Sequence, residues 1–442
     1  MSRASTAAHL RGELRDLSSA IEIQIQVLRD LRKQQSDVRK RLNAVLDPMA
    51  LLPLELQSEI FVRCVSDDLD CIMDPKNFPL AFLLVSRLWR DIALSTPRLW
   101  TRLRINVFRN SNIASAELVP SWIKLAGNLP MSLTLSGWLQ DSQNFSALLE
   151  GCGPHLHELF IQPLVGQEGS MTRQIHLSGA AFPSLHTLVI HSTSHMAATY
   201  NVTDWLDVLH AAPLLAECYL RGIRYGESEY LRAEAPMHLT HASLRKLHFG
   251  LAQNSRRVNY AERNSAILLQ HLTLPSLEDL LLSFLEIPLT IVTSFLTRSA
   301  APIRVLEMKM DLRWPPESVI EFINFTPDLT HLTVVEEGYS SVLEAIATQD
   351  DFLPNLRHLS LWDWNRKMQS PVDYEFARQL LGVRPLESFR LCLDQPPPAA
   401  VAESLRSLGE ERGIDVKLGV DGSQGGLSVA EFLRRMKEQG VL

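Results

Sequence analysis

The chain has 442 residues, enough for two or three domains, and its 46% apolar and 21% charged residues are ordinary for a globular protein. A formal net charge of −7 and a pI near 6.1 give no overall attraction to nucleic acid or anionic membrane, so neither is expected as a partner. No apolar run approaches the roughly 18–20 residues that span a bilayer, and MSRASTAAHLRGELRD carries charge where a secretory signal needs an apolar stretch, so a cytoplasmic and/or nuclear location is expected. The five cysteines, Cys64, Cys71, Cys152, Cys218 and Cys392, are scattered and odd in number, which fits reduced thiols and not a disulfide framework.

From Leu10 to Val45 the apolar residues keep a 3-4 alternation. Leu14, Ile21, Leu28 and Leu42 share one heptad position; Leu10, Leu17, Leu31, Val38 and Val45 share the other; Gln24 and Gln35 fill the gaps. Five heptads without proline predict a coiled-coil helix of about 36 residues, roughly 54 Å long, ended by Asp47-Pro48. A parallel homodimer through residues 10–45 is one expectation, with the two glutamines setting register; a lone amphipathic helix is the other. Arg39-Lys40-Arg41 reads as charge on the outer faces of such a helix.

Residues 51–105 read LLPLELQSEIFVRCV, an acidic interval, then PLAFLLVSRLWRDIALSTPRLWTRLRI. Pro53 suits a first helical turn, and Leu56, Ile60 and Phe61 follow at helical spacings. A second helix is expected from about Leu80 to Leu94, with Leu84, Val85, Leu88, Trp89 and Ile92 on its apolar face and Ser95-Thr96-Pro97 as its stop. Two short helices make a thin core, and each large apolar side chain gains roughly 1.5–3 kcal/mol on burial, so a partner or a following domain is expected to cover what they leave exposed.

The ordered set Leu52-Pro53, Ile60-Phe61, Val85-x-x-x-Trp89 and Leu99-Trp100 resembles an F-box. That resemblance implies a module docking on a Skp-type adaptor, and through it on a cullin, with Leu52, Pro53, Leu56, Ile60, Phe61, Val85, Trp89 and Ile92 as adaptor-binding residues. The segment departs from the family in having Ser86-Arg87-Leu88 where many members have Cys-Arg-Arg, and in its long acidic link with Asp67, Asp68, Asp70 and Asp74.

Farther on, a phrase of the form small/Pro-x-Leu-x-x-Leu-x-Leu recurs: PHLHELFI from 154, PSLHTLVI from 183, PLLAECYL from 213, ASLRKLHF from 242, PSLEDLLL from 275, APIRVLEM from 301, PDLTHLTV from 327, PNLRHLSL from 354 and RPLESFRL from 384. NLPMSLTL from 128 is a degraded earlier copy. Helical patterns such as FSALLEGCG, DWLDVLHAA, SAILLQHL, IVTSFLTRS and YEFARQLL precede most copies. Each helix-plus-strand unit cannot bury both faces alone, so the units are expected to stack into a solenoid with a parallel sheet inside and helices outside.

This array is similar to leucine-rich repeats, without the usual asparagine ladder. The resemblance implies a target-binding face formed by the strand residues between the buried leucines. Phe160, Tyr219, Arg221, Lys246, His248, Trp362, Trp364 and Arg390 are the substrate-binding candidates, being mostly of the types that dominate interface energetics. The loops Gln167–Gln174, Ser192–Asn201 and Arg221–His238 are long enough to add specificity.

No Walker-type glycine loop, G-x-S-x-G elbow or His-Glu-x-x-His motif occurs. Cys152-x-x-His155-x-His157 lacks a second ligand pair, and the acidic link lacks the glycine and distal glutamate of a calcium loop, so no metal or cofactor is expected. Ser428 and Glu431 match a capping box opening a last helix. The expected fold is α/β: a coiled-coil helix (1–47), a small all-α F-box module (48–105), an irregular leucine-rich-repeat solenoid (106–420), and a linker with a terminal helix (421–442). The expected role is a non-enzymatic receptor for an unknown protein target, with a scaffold lacking any ligase link as the alternative.

Overall fold

The computed structural model describes residues 3–65, 79–107, 119–137, 142–163, 179–191, 198–200, 202–221, 223–225, 238–250, 268–283, 288–309, 314–335, 339–362, 371–393 and 397–420. These fall into two compact units, one ending at Leu99 and the other beginning at Trp100. The expected terminal helix and the acidic link lie outside the described residues.

The first unit opens with α1 (Arg3–Leu46), an unbroken helix of 44 residues that contains the heptad stretch. Asp47 ends it and caps a 3-10 turn, Pro48–Leu51, by accepting from the Met49 N–H at 2.9 Å. α2 (Leu54–Cys64) starts just after Pro53, whose carbonyl accepts the N–H groups of Leu56 and Gln57. The expected second helix is instead two: α3 (Phe82–Val85) and α4 (Arg87–Leu94). Ser86 is extended between them, with φ −152 and ψ 170, and its hydroxyl accepts from the Trp89 N–H at 3.1 Å. That is an N-cap, so Ser86 starts a new helix. Arg90 closes the corner by donating twice to the Leu83 carbonyl, at 2.9 and 3.1 Å.

The second unit is α/β. Its strands are β1 (Arg102–Val107), β2 (Met131–Gly137), β3 (Leu156–Pro163), β4 (Thr187–His191), β5 (Ala198–Tyr200), β6 (Glu217–Arg221), β7 (Ile223–Tyr225), β8 (Leu239–Thr240), β9 (Lys246–Gly250), β10 (Leu272–Thr273), β11 (Asp279–Ser283), β12 (Val305–Lys309), β13 (His331–Val335), β14 (His358–Trp362), β15 (Ser388–Leu393) and β16 (Asp415–Val420). Twelve form one parallel sheet in the order β1-β2-β3-β4-β6-β9-β11-β12-β13-β14-β15-β16, which does not close into a barrel. Parallel neighbours need crossover connections, and many of these are helical: Ser142–Cys152, Val202–Ala211, Leu289–Ser299, Pro316–Asn324, Tyr339–Thr348, Pro371–Val383 and Ala399–Arg412. Each phrase supplies one strand, while β1, β2 and β16 extend the sheet beyond the regular copies. β1 begins at Arg102, within the 48–105 span, and pairs with β2 in the sheet unit.

Strand register aligns the repeated leucines. Leu103, Leu133, Leu159, Leu188, Cys218, Leu247, Leu280, Leu306, Leu332, Leu359 and Phe389 are neighbours strand to strand, ending on Val416. A second row runs from Ile105 and Leu135 to Leu391 and Leu418. The third position of each regular phrase, leucine from Leu156 to Leu386 except for Ile303, is also buried. Burial along three rows, repeated over the sheet, is the main stabilising element of this unit.

Backbone bonding recurs with the phrase. The carbonyl of His186 accepts the N–H groups of Ala216 and Glu217 at 2.9 and 3.0 Å, and the carbonyls of Ala216, Arg245, Glu278, Arg304, Thr330 and Arg357 repeat the arrangement one phrase on. Arginines add longer staples. Arg384 donates to the carbonyls of Ile346, Gln349, Asp350 and Phe352, covering the end of helix Tyr339–Thr348 with a cation. Two segments expected as loops contain paired strands, β5 with β7, and β8 pairs with β10 nearby. Gly153 marks a close approach, since a Cβ there would come within 2.5 Å of the Ala181 carbonyl oxygen.

Candidate docking surfaces

In the helical unit the aromatic residues form the core. Phe61 on α2 stacks on Phe82 of α3, with centroids 4.1 Å apart, and Trp89 of α4 tilts against both. The Trp89 indole N–H donates to the Asp47 carboxylate at 2.9 Å, tying α4 to the residue that ends α1. Gln57, one turn before Phe61, is buried and donates to the carbonyls of Met49 and Leu52 at 2.6 and 2.8 Å. Thr96 bridges the end of α4 to Ser58 of α2 at 3.0 Å. Residues 57 and 61 thus face inward, and residues 56 and 60, one position earlier on the helix, face outward.

Burial divides the expected contact set. Phe61 is 1% exposed and Ile92 2%, so both are core residues of the helical unit. Trp89 is half-buried inside the aromatic cluster. Leu56, Ile60 and Val85 are exposed, Pro53 is exposed and Leu52 half-exposed. Sequence reasoning did not place Leu51, Leu54 and Leu94 on the surface, and it assigned Leu84 to an apolar face; the structure leaves all four outside. The signal was available for Leu54 and Leu84, each adjacent to a predicted contact. Glu59 is held below the usual carboxylate range by hydrogen bonds from Arg63 and Arg98 at 2.9 and 3.1 Å, a charged edge beside Ile60.

In the sheet unit, the strand face opposite the leucine rows carries the other candidates. Its middle is a cross-strand lattice. Tyr219 donates to Glu217 at 3.1 Å, Lys246 pairs with Glu217 at 2.9 Å, and His248 Nε2 lies 3.0 Å from Asp279, with Tyr219 and His248 rings edge to face. Burial first, then the Glu217 charge, pushes the Tyr219 phenol well above its ordinary pKa. Toward the last strands, His331 and His358 stack at 4.0 Å and His358 Nδ1 meets the Ser388 hydroxyl at 2.9 Å. Burial, then the neighbouring His358, lowers the His331 pKa.

The expected anchors divide accordingly. Phe160, Tyr219 and Trp362 are buried; Lys246, His248 and Arg390 are partly exposed; Arg221 ends β6, and Trp364 lies outside the described residues. Alternation assigns the aromatic side chains of β3, β6 and β14 to one face of the sheet and says nothing of what covers them.

Cys152 is buried and its thiol pushed up to about 12, chiefly by burial, while His155 is exposed and His157 stacks on His186 at 5.1 Å. Among the described residues no three His, Cys, Asp or Glu side chains converge as metal ligands, and no helix is long and apolar enough to cross a membrane. Compared with known proteins, the chain matches no family model and no curated protein sequence.

Proposed function

We propose that this protein is a non-catalytic substrate receptor of a cullin-RING, SCF-type ubiquitin ligase. The helical unit acts as an F-box-like module that docks on a Skp-type adaptor. The sheet unit acts as an irregular leucine-rich-repeat solenoid that captures a protein target, and the transfer chemistry belongs to other subunits. One observation carries the reading. The module whose residues follow the F-box order leaves Leu54, Leu56, Ile60, Leu84 and Val85 exposed, the kind of apolar surface a protein partner covers. Target capture rests on the partly exposed Lys246, His248 and Arg390 with the loops at the strand ends. The test is a pull-down of the cognate Skp-type adaptor by full-length protein against an Ile60→Asp/Val85→Asp variant, both changes lying outside the core. Capture by the wild type alone supports the receptor; no capture by either, where another F-box protein binds, sinks it.

The inward turn of Phe61 and Trp89 favours a second reading, a repeat scaffold whose helical unit has no adaptor. Under it the same pull-down is blank.

A further inference from the structure

The seam of α1 is uncovered along its whole length. Leu10, Leu14, Leu17, Ile21, Leu28, Leu31, Val38, Leu42 and Val45 are each between 49% and 80% exposed. A continuous 44-residue helix displaying nine such side chains in one stripe is unstable as a solvated rod and requires a partner surface of matching length and period. No strand or helix of the first unit covers it among the described residues, and the partner that matches its period everywhere is the same helix.

We propose that α1 pairs in parallel and in register with α1 of a second copy of this chain. The two polar seam positions choose the orientation. In the parallel, in-register pair Gln24 meets Gln24 and Gln35 meets Gln35, so each amide has an amide to bond, and every layer from Leu10 to Val45 is filled. The antiparallel register that faces Gln24 with Gln35 sets Leu10 against Met49, beyond the helix end at Leu46. The antiparallel register that keeps Leu10 on Leu42 buries Gln24 against Leu28 and Gln35 against Leu17, four amides without partners. Charge opposes the parallel choice: residues 24–46 hold six basic and two acidic side chains, against three of each in residues 3–23. Those charges lie on exposed positions and are screened within about 8–10 Å at physiological salt, so they weigh less than a lost leucine layer or a stranded amide. The same imbalance makes added salt tighten the pair. Parallel pairing brings both chains out of the coil at one end, so each assembly carries two helical and two sheet units, whether or not the helical unit docks on an adaptor.

The test uses the full-length chain. Light scattering on a sizing column should give about twice the 49.8 kDa chain mass, and Leu28→Glu/Leu31→Glu should return it to 49.8 kDa, while Gln26→Glu on the outer face leaves the dimer intact. Far-UV circular dichroism of the double variant checks that the sheet unit stays folded. Gln24→Cys, oxidised by dissolved oxygen with a copper catalyst, should form a covalent dimer absent from wild type treated alike, which controls for exposed Cys64. A monomeric wild type overturns the proposal. So does a dimer in which Gln24→Cys fails to cross-link with itself yet cross-links with Gln35→Cys, the mark of an antiparallel pair.

Discussion

Arg298 shows how one side chain can hold two successive segments of the sheet unit. Its guanidinium donates to the Leu269 carbonyl at 2.6 Å and to the Leu272 carbonyl at 2.7 and 3.1 Å, an arrangement that needs the planar fork. Arg298→Ala leaves both oxygens without that donor, and a loss of about 1–3 kcal/mol is expected in urea unfolding; Arg298→Lys should recover little, and an unchanged midpoint would contradict the account. His241 sets a pH dependence. It is buried, its Nε2 bonds the Ala212 carbonyl at 2.9 Å, and burial lowers its pKa from 6.5. The unfolded chain then binds the proton more readily, so this contribution is complete above about pH 6.5 and is lost as pH falls toward the folded value. Unfolding midpoints should drop between pH 7.5 and pH 5.5 by less in His241→Gln than in wild type. Burial likewise pushes the thiols of Cys152 and Cys218 up to about 12, whereas Cys64 is exposed. Iodoacetamide at neutral pH should therefore modify Cys64 and spare those two, as peptide mass spectrometry would report.

At the scale of elements, helix ends carry the testable detail. Ser86 caps α4, so Ser86→Ala should cost about 1 kcal/mol of the helical unit's stability. Helix Leu289–Ser299 ends on Ala300 in the left-handed region, with φ 49, where glycine is the unstrained choice. Ala300→Gly should raise the sheet unit's melting temperature, by about 1 kcal/mol of stability. The sheet itself was largely legible in the sequence, because the leucine phrase repeats both the strand period and the strand's neighbours: the nine phrases give β3, β4, β6, β9 and β11 to β15. β1 was not legible, since RLRINV lacks the phrase, and its strand state depends on pairing with β2. Nor was the break at Ser86, where a single extended residue interrupts an otherwise continuous helical apolar pattern. The candidate surface was legible only in part. Periodicity put Leu56, Ile60 and Phe61 on one broad face, but the choice between the 56/60 and 57/61 stripes was made by Phe82, a stacking partner some twenty residues away across the acidic link.

For the whole molecule, the chain divides into a helical unit with a long exposed seam and apolar surface and a sheet unit whose strands run in chain order. The side chains of Glu217, Tyr219, Lys246, His248 and Asp279 pair across neighbouring strands, tying β6, β9 and β11 together on that face. The outward stripe of the helical unit is the docking surface proposed above. Its most direct measurement is the affinity of the purified Skp-type adaptor for full-length protein, by calorimetry, beside Ile60→Asp/Val85→Asp. Binding by wild type should be weakened at least 100-fold in the variant, with its melting temperature unchanged. Equal binding by both proteins, or none by wild type where a known F-box protein binds, would contradict it.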